Sequence, residues 1–301
     1  MTPPYDVAQA MAGSAVPRRV LGQHLRDLRQ QAGLTVKMAA TLMEWSEPKM
    51  WRIETGQTAM RVMDVEAMCA VYGAPADLTR ALGGLARHTK ANGWWHSYND
   101  AISEHFGIYA TLEATASGLL DYAICQVPAL LRTEAYACTL IASSHPGASD
   151  TTQLVRDCLA RQMLLLRANA PLSATVVLSE ALLRCPVGGA AVMAGQLWHL
   201  AELAALPNIC VRVVPFAAGF HPGLATGPFT LLQFPAAYGR EASTAVVHTS
   251  GLTGELFLDK PHEIRQYRDA HTAIFDCSLD EAATKDLLRT TAKELDQYVT
   301  P

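Results

Sequence analysis

The stretch SEPKMWR, from Ser46 to Arg52, places several side chains able to bind an anion close together. Arg52 carries a planar guanidinium, which can donate two hydrogen bonds to the edge of a guanine base. Lys49 carries a compact positive charge, which attracts phosphate whatever the base sequence. These groups suit contact with the backbone and the base edges of a nucleic acid.

A short helix must present these side chains, and the sequence marks both of its ends. Ser46 is a good N-cap and Gly56 a good stop, so a helix is predicted to begin at Glu47. Pro48 then falls in the first turn, where its missing N–H would have had no partner within the helix. The proline therefore marks the start of the helix and does not interrupt it.

The preceding sequence predicts a second short helix packed against this one. Thr35 is a good N-cap for the segment VKMAATLM, and about three residues separate the two helices. Such a pair forms a helix-turn-helix, whose second helix places its N-terminal residues in the major groove of DNA. Ala40 allows close packing, and the seam is predicted to be filled by Met43, Met50 and Ile53.

Further helices are predicted on both sides of this pair. VLGQHLRDLRQQAG has apolar residues at helical spacing and ends near Gly33, and RVMDVEAMCAVYG ends at Gly73. With these helices around it, the motif RIETG resembles the lambda-repressor-like, XRE-type helix-turn-helix family. The resemblance covers Val20 to Gly73.

The resemblance implies which side chains meet DNA. Glu47, Pro48 and Arg52 occupy the positions that read bases, and Ser46 and Lys49 occupy positions next to phosphate. Trp51 faces outward, where it either contacts DNA or packs on a neighbouring domain. The flanking segments are expected to touch the DNA backbone through Thr35, Lys37, Gln57, Thr58 and Arg61.

Two positions depart from the family pattern. Val36 stands where the family usually has glutamine, and Glu44 stands where its turn usually has glycine. If the backbone at Glu44 is left-handed, a non-glycine residue there costs on the order of 1 kcal/mol. A protein that has kept the fold but has weakened DNA binding is therefore an alternative.

Charge and composition limit which kinds of site and which location in the cell the sequence is compatible with. Residues 1–90 carry a net charge of +3 and the rest carries −7, so a basic head precedes an acidic body. The seven cysteines contain no CxxC pair and the ten histidines no HxxxH pair, so we expect reduced thiols, no metal site and no cofactor. No apolar run reaches the length of a membrane span, and a cytoplasmic protein is expected.

The remaining residues alternate between helix and strand patterns. ICVRVVPF is typical of a buried strand, and PFTLLQFP, TAVVHT and GELFLD predict an antiparallel meander. The last helix is predicted to open with a capping box of Ser278 and Glu281. The fold class is therefore α+β, with an all-α helix-turn-helix bundle before a larger mixed α/β domain. The expected boundaries are a flexible segment 1–17, a DNA-binding domain 18–90 and a regulatory domain 91–301.

The segment VPALLRTEAYA, from Val127 to Ala137, carries a second resemblance. It is similar to the motif VPGLLQTEDYA of a domain of unknown function found behind XRE-type modules in bacterial regulators. The resemblance extends loosely to the C-terminus. It implies a transcriptional regulator that binds operator DNA as a dimer, with a small companion protein encoded nearby, as in a toxin–antitoxin pair.

The predicted regulatory domain 91–301 is then expected to receive a signal, either a ligand or a partner protein. The candidate residues are aromatic or charged: Trp94, Trp95, Tyr98, Glu180, Arg184 and His221. An enzyme built on a carboxylate, an arginine and a histidine is the remaining alternative. It lacks support from any nucleotide-binding, nucleophile-elbow or zinc-protease motif, so the protein is not expected to be an enzyme.

Overall fold

The computed structural model describes residues 15–89, 107–144, 150–235, 245–251 and 254–298. The chain divides into two compact units, residues 1–113 and 114–301. Most of the predicted flexible segment 1–17 lies outside the described residues, as do Trp94, Trp95 and Tyr98. None of the described helices is long and apolar enough to cross a membrane.

The first unit is helical throughout its described ranges. Its helices are α1 (Ala15–Gln31), α2 (Val36–Leu42), α3 (Glu47–Glu54), α4 (Val62–Tyr72) and α5 (Ala76–His88), and α6 (Ile108–Thr115) crosses the boundary to the second unit. The apolar positions of α1 predicted to face inward are buried, with Val20, Leu21 and Leu25 at most 1% exposed.

The predicted helix ends in this unit are confirmed. Thr35 Oγ1 accepts a hydrogen bond from the Met38 N–H at 3.2 Å, and Ser46 Oγ accepts one from the Lys49 N–H at 3.3 Å. Pro48 lies in the first turn of α3, as its missing N–H requires. Gly56 follows α3 with φ +70°, a left-handed conformation that closes the helix.

The second unit contains a mixed six-stranded sheet. Its strands are β1 (Gly118–Ala123), β2 (Ser173–Ser179), β3 (Ile209–Val214), β4 (Phe229–Gln233), β5 (Ala245–Gly251) and β6 (Gly254–Leu258). They lie in the order β3-β2-β1-β4-β5-β6. The pairs among β1, β2 and β3 are parallel, and β4, β5 and β6 form the predicted antiparallel meander.

The helices of this unit are α7 (Glu134–Ser144), α8 (Thr152–Arg161), α9 (Glu180–Leu183), α10 (Ala190–Leu203), α11 (Gly223–Thr226), α12 (Pro261–Asp276) and α13 (Glu281–Asp296). Helix α12 packs on the sheet, and α10 packs against α13. The α+β class is thus confirmed. The predicted capping box is wrong, because the Asp280 carboxylate accepts the Ala283 N–H and caps α13, while Ser278 donates to the Phe275 carbonyl.

Candidate functional site

The predicted DNA-binding residues all lie between the start of α2 and the start of α4. Eight are exposed, namely Thr35, Lys37, Ser46, Glu47, Pro48, Arg52, Gln57 and Arg61. Three are half-buried, namely Lys49, Trp51 and Thr58. On the other side of α3, Met50 and Ile53 are 0% and 2% exposed. Helix α3 therefore buries its apolar face and presents a polar one.

Two cationic side chains of α3 contact neighbouring groups of the protein itself. Lys49 Nζ lies 3.5 Å from the centroid of the Trp45 ring, a cation–π contact across the first turn. Trp45 is half-buried and carries this contact on the face of its ring. Arg52 Nε donates to the Pro48 carbonyl at 3.2 Å. Both contacts hold a positive charge near the exposed start of the helix.

The turn between α2 and α3 is left-handed at Glu44, where φ is +53°. The Glu44 N–H donates to the Thr41 carbonyl at 3.1 Å, and the Trp45 N–H donates to the Ala40 carbonyl at 2.8 Å. The side chain of Glu44 is exposed, so it adds no clash with the core. The turn thus keeps the geometry that glycine would favour and bears the strain of a larger residue.

A buried ion pair, missed in the sequence, fixes the C-terminal end of α3. Arg29 on α1 donates to both carboxylate oxygens of Glu54, with Nε–Oε1 at 2.6 Å and Nη2–Oε2 at 2.9 Å. Arg29 Nη1 also donates to the Leu34 carbonyl at 2.6 Å. The hydrogen bond with Glu54 raises the pKa of Arg29, against the opposing effect of burial. The pair joins α1, the α1–α2 connection and α3.

Two glycines allow α1 to approach α3 closely. A Cβ at Gly22 would lie 2.4 Å from the Ile53 carbonyl oxygen, and one at Gly56 would lie 2.6 Å from Arg19 Cα. Both distances are far below van der Waals contact, so no side chain fits at either position without movement. The close approach brings Arg29 and Glu54 within reach of each other.

The second unit brings together only part of its predicted site. Glu180 and Arg184 form an ion pair at 3.3 Å, and Arg184 Nη1 also contacts Glu294 Oε2 at 2.9 Å. Glu180 Oε2 accepts the Phe216 N–H at 2.8 Å. His221 is 6% exposed, and its ring meets the Tyr122 ring edge-on at 6.0 Å. Within the described ranges, no hydrogen bond or ion pair joins His221 to Glu180 or Arg184.

The motif VPALLRTEAYA is held by hydrogen bonds inside the second unit. The Val127 N–H donates to the Tyr136 hydroxyl at 3.2 Å, and Arg132 Nε donates to the Val127 carbonyl at 2.7 Å. Gln196 on α10 is fully buried, where it accepts the Thr133 N–H at 2.7 Å and donates to the Leu131 carbonyl at 2.7 Å. The polar groups of this motif therefore join the segment that follows β1 to α7 and α10.

Comparisons with known proteins agree with this division of the chain. Residues 20–82 match the family model of a helix-turn-helix domain, and residues 106–290 match that of a domain of unknown function, DUF5753. A search of curated proteins and a search of solved structures gave no match. The predicted order of a helix-turn-helix domain followed by a domain of unknown function is thus confirmed, and the first match supports a DNA-binding regulator.

Proposed function

Because the chain belongs to the family defined by the DUF5753 domain, here behind a helix-turn-helix domain, we propose that it is a transcriptional regulator. It binds operator DNA through the N-terminal half of α3 and receives its signal through the second unit. It acts as a homodimer, since paired half-sites about 34–36 Å apart are the usual target of such modules.

The observation that carries the proposal is the division of α3 into two faces. Met50 and Ile53 are buried, whereas Glu47, Pro48 and Arg52 are exposed at the end that enters a major groove in this motif. The Arg29–Glu54 pair fixes the opposite end of the helix. A helix held in this way presents its first turns to a partner as a rigid surface.

Each exposed group has a chemical role in the proposal. Arg52 leaves the Pro48 carbonyl and donates two hydrogen bonds to a guanine, which is worth about 1–3 kcal/mol of discrimination against other bases. Lys49 leaves the Trp45 ring and pairs with phosphate. The backbone contacts on either side of α3 come from Thr35, Lys37, Gln57, Thr58 and Arg61.

The signal reaches the protein through the second unit. A ligand or a small companion protein that binds this unit differently in two states of the dimer shifts the population able to bind DNA. The loop that contains His221 is the proposed contact region of this unit. The segment that contains Trp94, Trp95 and Tyr98, which precedes the unit in the chain, is a second proposed contact region. Glu180 and Arg184 lie beside that loop, since Glu180 accepts the Phe216 N–H.

A gel-shift assay on the DNA upstream of the protein's own gene tests the proposal. The full chain is expected to give a salt-sensitive shift, and the double variant Lys49→Ala, Arg52→Ala should bind about 10- to 100-fold more weakly. Arg80→Ala, which removes an exposed arginine from α5, is the matched control and should bind like the parent. No shift, or a shift unaffected by the double variant, would contradict the proposal.

The strained turn favours one alternative, an interaction protein with weakened DNA binding. The backbone at Glu44 is left-handed, and Val36 stands where the XRE-type family usually has a glutamine that makes a polar contact. If this alternative holds, Val36→Gln together with Glu44→Gly creates DNA binding that the parent lacks. Tight binding by the parent in the same gel-shift assay rules it out.

A further inference from the structure

Six aromatic rings of the second unit meet between the sheet and α12. We refer to them as the aromatic cluster, which consists of Tyr122, His221, Phe229, Tyr267, His271 and Phe275. Phe229 is central, with ring centroids 6.4 Å from Tyr122, 4.9 Å from Tyr267 and 6.3 Å from His271. The cluster is largely apolar, but four of its members carry polar atoms.

Two of these polar atoms are buried and have no hydrogen-bond partner in the described structure. They are the Tyr122 hydroxyl and His221 Nδ1, on residues that are 1% and 6% exposed. Some other buried polar groups of the same unit are paired, as Gln196 is with the backbone and as Thr230 Oγ1 is with Asp121 at 2.6 Å, whereas Thr291 Oγ1 on α13 is a single buried atom without a partner. A buried polar atom left without a partner is destabilising, so two such atoms on rings that touch each other indicate a role beyond the fold.

The loop between β3 and β4 covers this cluster and carries an apolar surface. Phe216, Phe220 and Leu224 are 62%, 84% and 61% exposed, whereas His221 between them points inward. Gly223 lies against Tyr122 so closely that a Cβ there would be 2.7 Å from the hydroxyl oxygen. Small-molecule sites are lined mostly by apolar and aromatic side chains with a few polar groups among them, and these residues have that composition.

The position of the cluster in the sheet agrees with such a site. Tyr122 lies near the carboxyl end of β1, and the covering loop leaves the carboxyl end of β3, which is parallel to β2 and, through it, to β1. Ligands of open α/β sheets bind outside the carboxyl ends of the parallel strands. Here the parallel part of the sheet also changes to antiparallel between β1 and β4.

The charges around the cluster favour an uncharged ligand. Glu180, which accepts the Phe216 N–H of the covering loop, is already paired with Arg184, and Arg184 is paired with Glu294. Burial raises the pKa of the Tyr122 hydroxyl and lowers the pKa of the His271 imidazole, so both groups are neutral near pH 7. Arg212, whose guanidinium carbon lies 4.5 Å from the centroid of the Phe275 ring, donates to the Leu279 carbonyl. These residues therefore offer a ligand no ionic group that lacks a partner.

We propose that the aromatic cluster binds a small uncharged molecule with an apolar body and a hydroxyl or carbonyl group, which hydrogen-bonds to the Tyr122 hydroxyl and to His221 Nδ1. The proposal rests on the proposed function in that this molecule is the regulatory signal. Binding of the molecule itself does not require DNA.

Phenol, which combines a small apolar ring with one hydroxyl, is the probe, and benzene is its matched control. Isothermal titration calorimetry on the full chain should give a millimolar dissociation constant for phenol and about tenfold weaker binding of benzene. Tyr122→Phe should weaken phenol binding about tenfold, because it removes one hydrogen bond and keeps the ring. Tyr298→Phe, at a tyrosine 81% exposed, should bind phenol like the parent.

The melting temperature without a probe separates a binding role from a structural one. If the Tyr122 hydroxyl lacks a partner in the free protein, Tyr122→Phe raises the melting temperature by a few degrees. A lower melting temperature means that the hydroxyl stabilises the free fold, and this overturns the proposal. Absence of phenol binding, or equal binding of phenol and benzene, overturns it as well.

The gel-shift assay on the same protein samples distinguishes the two proposals. DNA binding by a protein that fails to bind phenol leaves the regulator intact and removes only the ligand site. Phenol binding that depends on Tyr122, in a protein that does not bind DNA, supports the ligand site and removes the regulatory proposal.

Discussion

A buried ion pair in the first unit and the aromatic cluster in the second unit differ in whether their buried polar atoms have partners. In the first unit, Arg29 and Glu54 are 6% and 6% exposed and form two hydrogen bonds with each other. In the aromatic cluster of the second unit, the Tyr122 hydroxyl and His221 Nδ1 are equally buried and have no partner. The first arrangement serves the fold, because a charge buried without its partner is strongly destabilising.

The second arrangement lowers the stability of the fold. Such a cost is expected where polar atoms are kept available for a bound molecule. The two sequence motifs differ in exposure. Most residues of SEPKMWR are exposed, and Ser46 and Arg52 bond to backbone groups of α3 itself. By contrast, Val127, Arg132 and Tyr136 of VPALLRTEAYA are joined to each other within the second unit. Whether a motif residue could bind another molecule can therefore be decided only when its hydrogen-bond partners within the protein are known.

The largest expected effect comes from breaking the pair in the first unit. Glu54→Ala leaves Arg29 buried without its carboxylate and should lower the free energy of unfolding by about 3–5 kcal/mol. Glu294→Ala removes an ion-pair partner of Arg184 that is 50% exposed, and it should cost only about 0–1 kcal/mol. Urea denaturation of both variants measures the difference. Equal effects would mean that burial does not distinguish the two pairs.

The next largest effect on stability is expected from a substitution that crowds the aromatic cluster. A Cβ at Gly223 would lie 2.5 Å from two ring carbons of Tyr122, so Gly223→Ala should lower the free energy of unfolding by about 1–3 kcal/mol. At Gly195 on α10, a Cβ would meet nothing within 4 Å. Gly195→Ala should therefore stabilise the helix by about 0.5–1 kcal/mol. Denaturation curves that move in the same direction would show that the cluster tolerates a shift of Tyr122.

The stability of the second unit should decrease in acid. Burial lowers the pKa of both His271 and His199 below the ordinary value of 6.5, so the folded state holds these imidazoles neutral. Protons then bind the unfolded chain more readily, and stability is lost as the pH falls below about 6.5. Denaturation at a series of pH values measures this loss, and His271→Gln should reduce it. A profile identical to the parent's would contradict a buried neutral His271.

The smallest expected effects come from Glu44 and Ala170, the two non-glycine residues with positive φ in the described part of the chain, one in each unit. Glu44 has φ +53° and Ala170 has φ +51°, and both side chains are exposed. Glycine at either position relieves the strain but adds freedom to the unfolded chain, so each substitution should stabilise by about 1 kcal/mol or less. Denaturation midpoints for Glu44→Gly and Ala170→Gly should rise together. A decrease at position 44 alone would show that its carboxylate stabilises the turn.

Local features of the helix-turn-helix could be predicted from the sequence. The caps at Thr35 and Ser46 and the left-handed stop at Gly56 depend on residues within one turn of each other. The wrong prediction of the N-cap of α13 also concerns neighbouring residues, because Asp280 and Ser278 are both good N-caps and lie two residues apart. Local chemistry alone did not separate these two candidates.

Long-range contacts could not be predicted in the same way. Arg29 and Glu54 are 25 residues apart, although Arg29 falls four residues after Leu25 on the inward side of α1, which was an available signal. Asp121 and Thr230 are 109 residues apart, and no local pattern indicates that β1 pairs with β4. His221 was predicted as a binding residue, but Tyr122 and His271 join it only through the fold.

The salt dependence of DNA binding tests the central claim most directly. For the parent, the dissociation constant for a duplex from upstream of its own gene should rise steeply with salt. Lys49→Ala should reduce the slope of log Kd against log salt concentration by about 1, because one phosphate contact is lost. Arg289→Ala, at an exposed arginine on α13, should leave the slope unchanged. Equal slopes for the parent and Lys49→Ala would contradict the account that α3 meets the DNA.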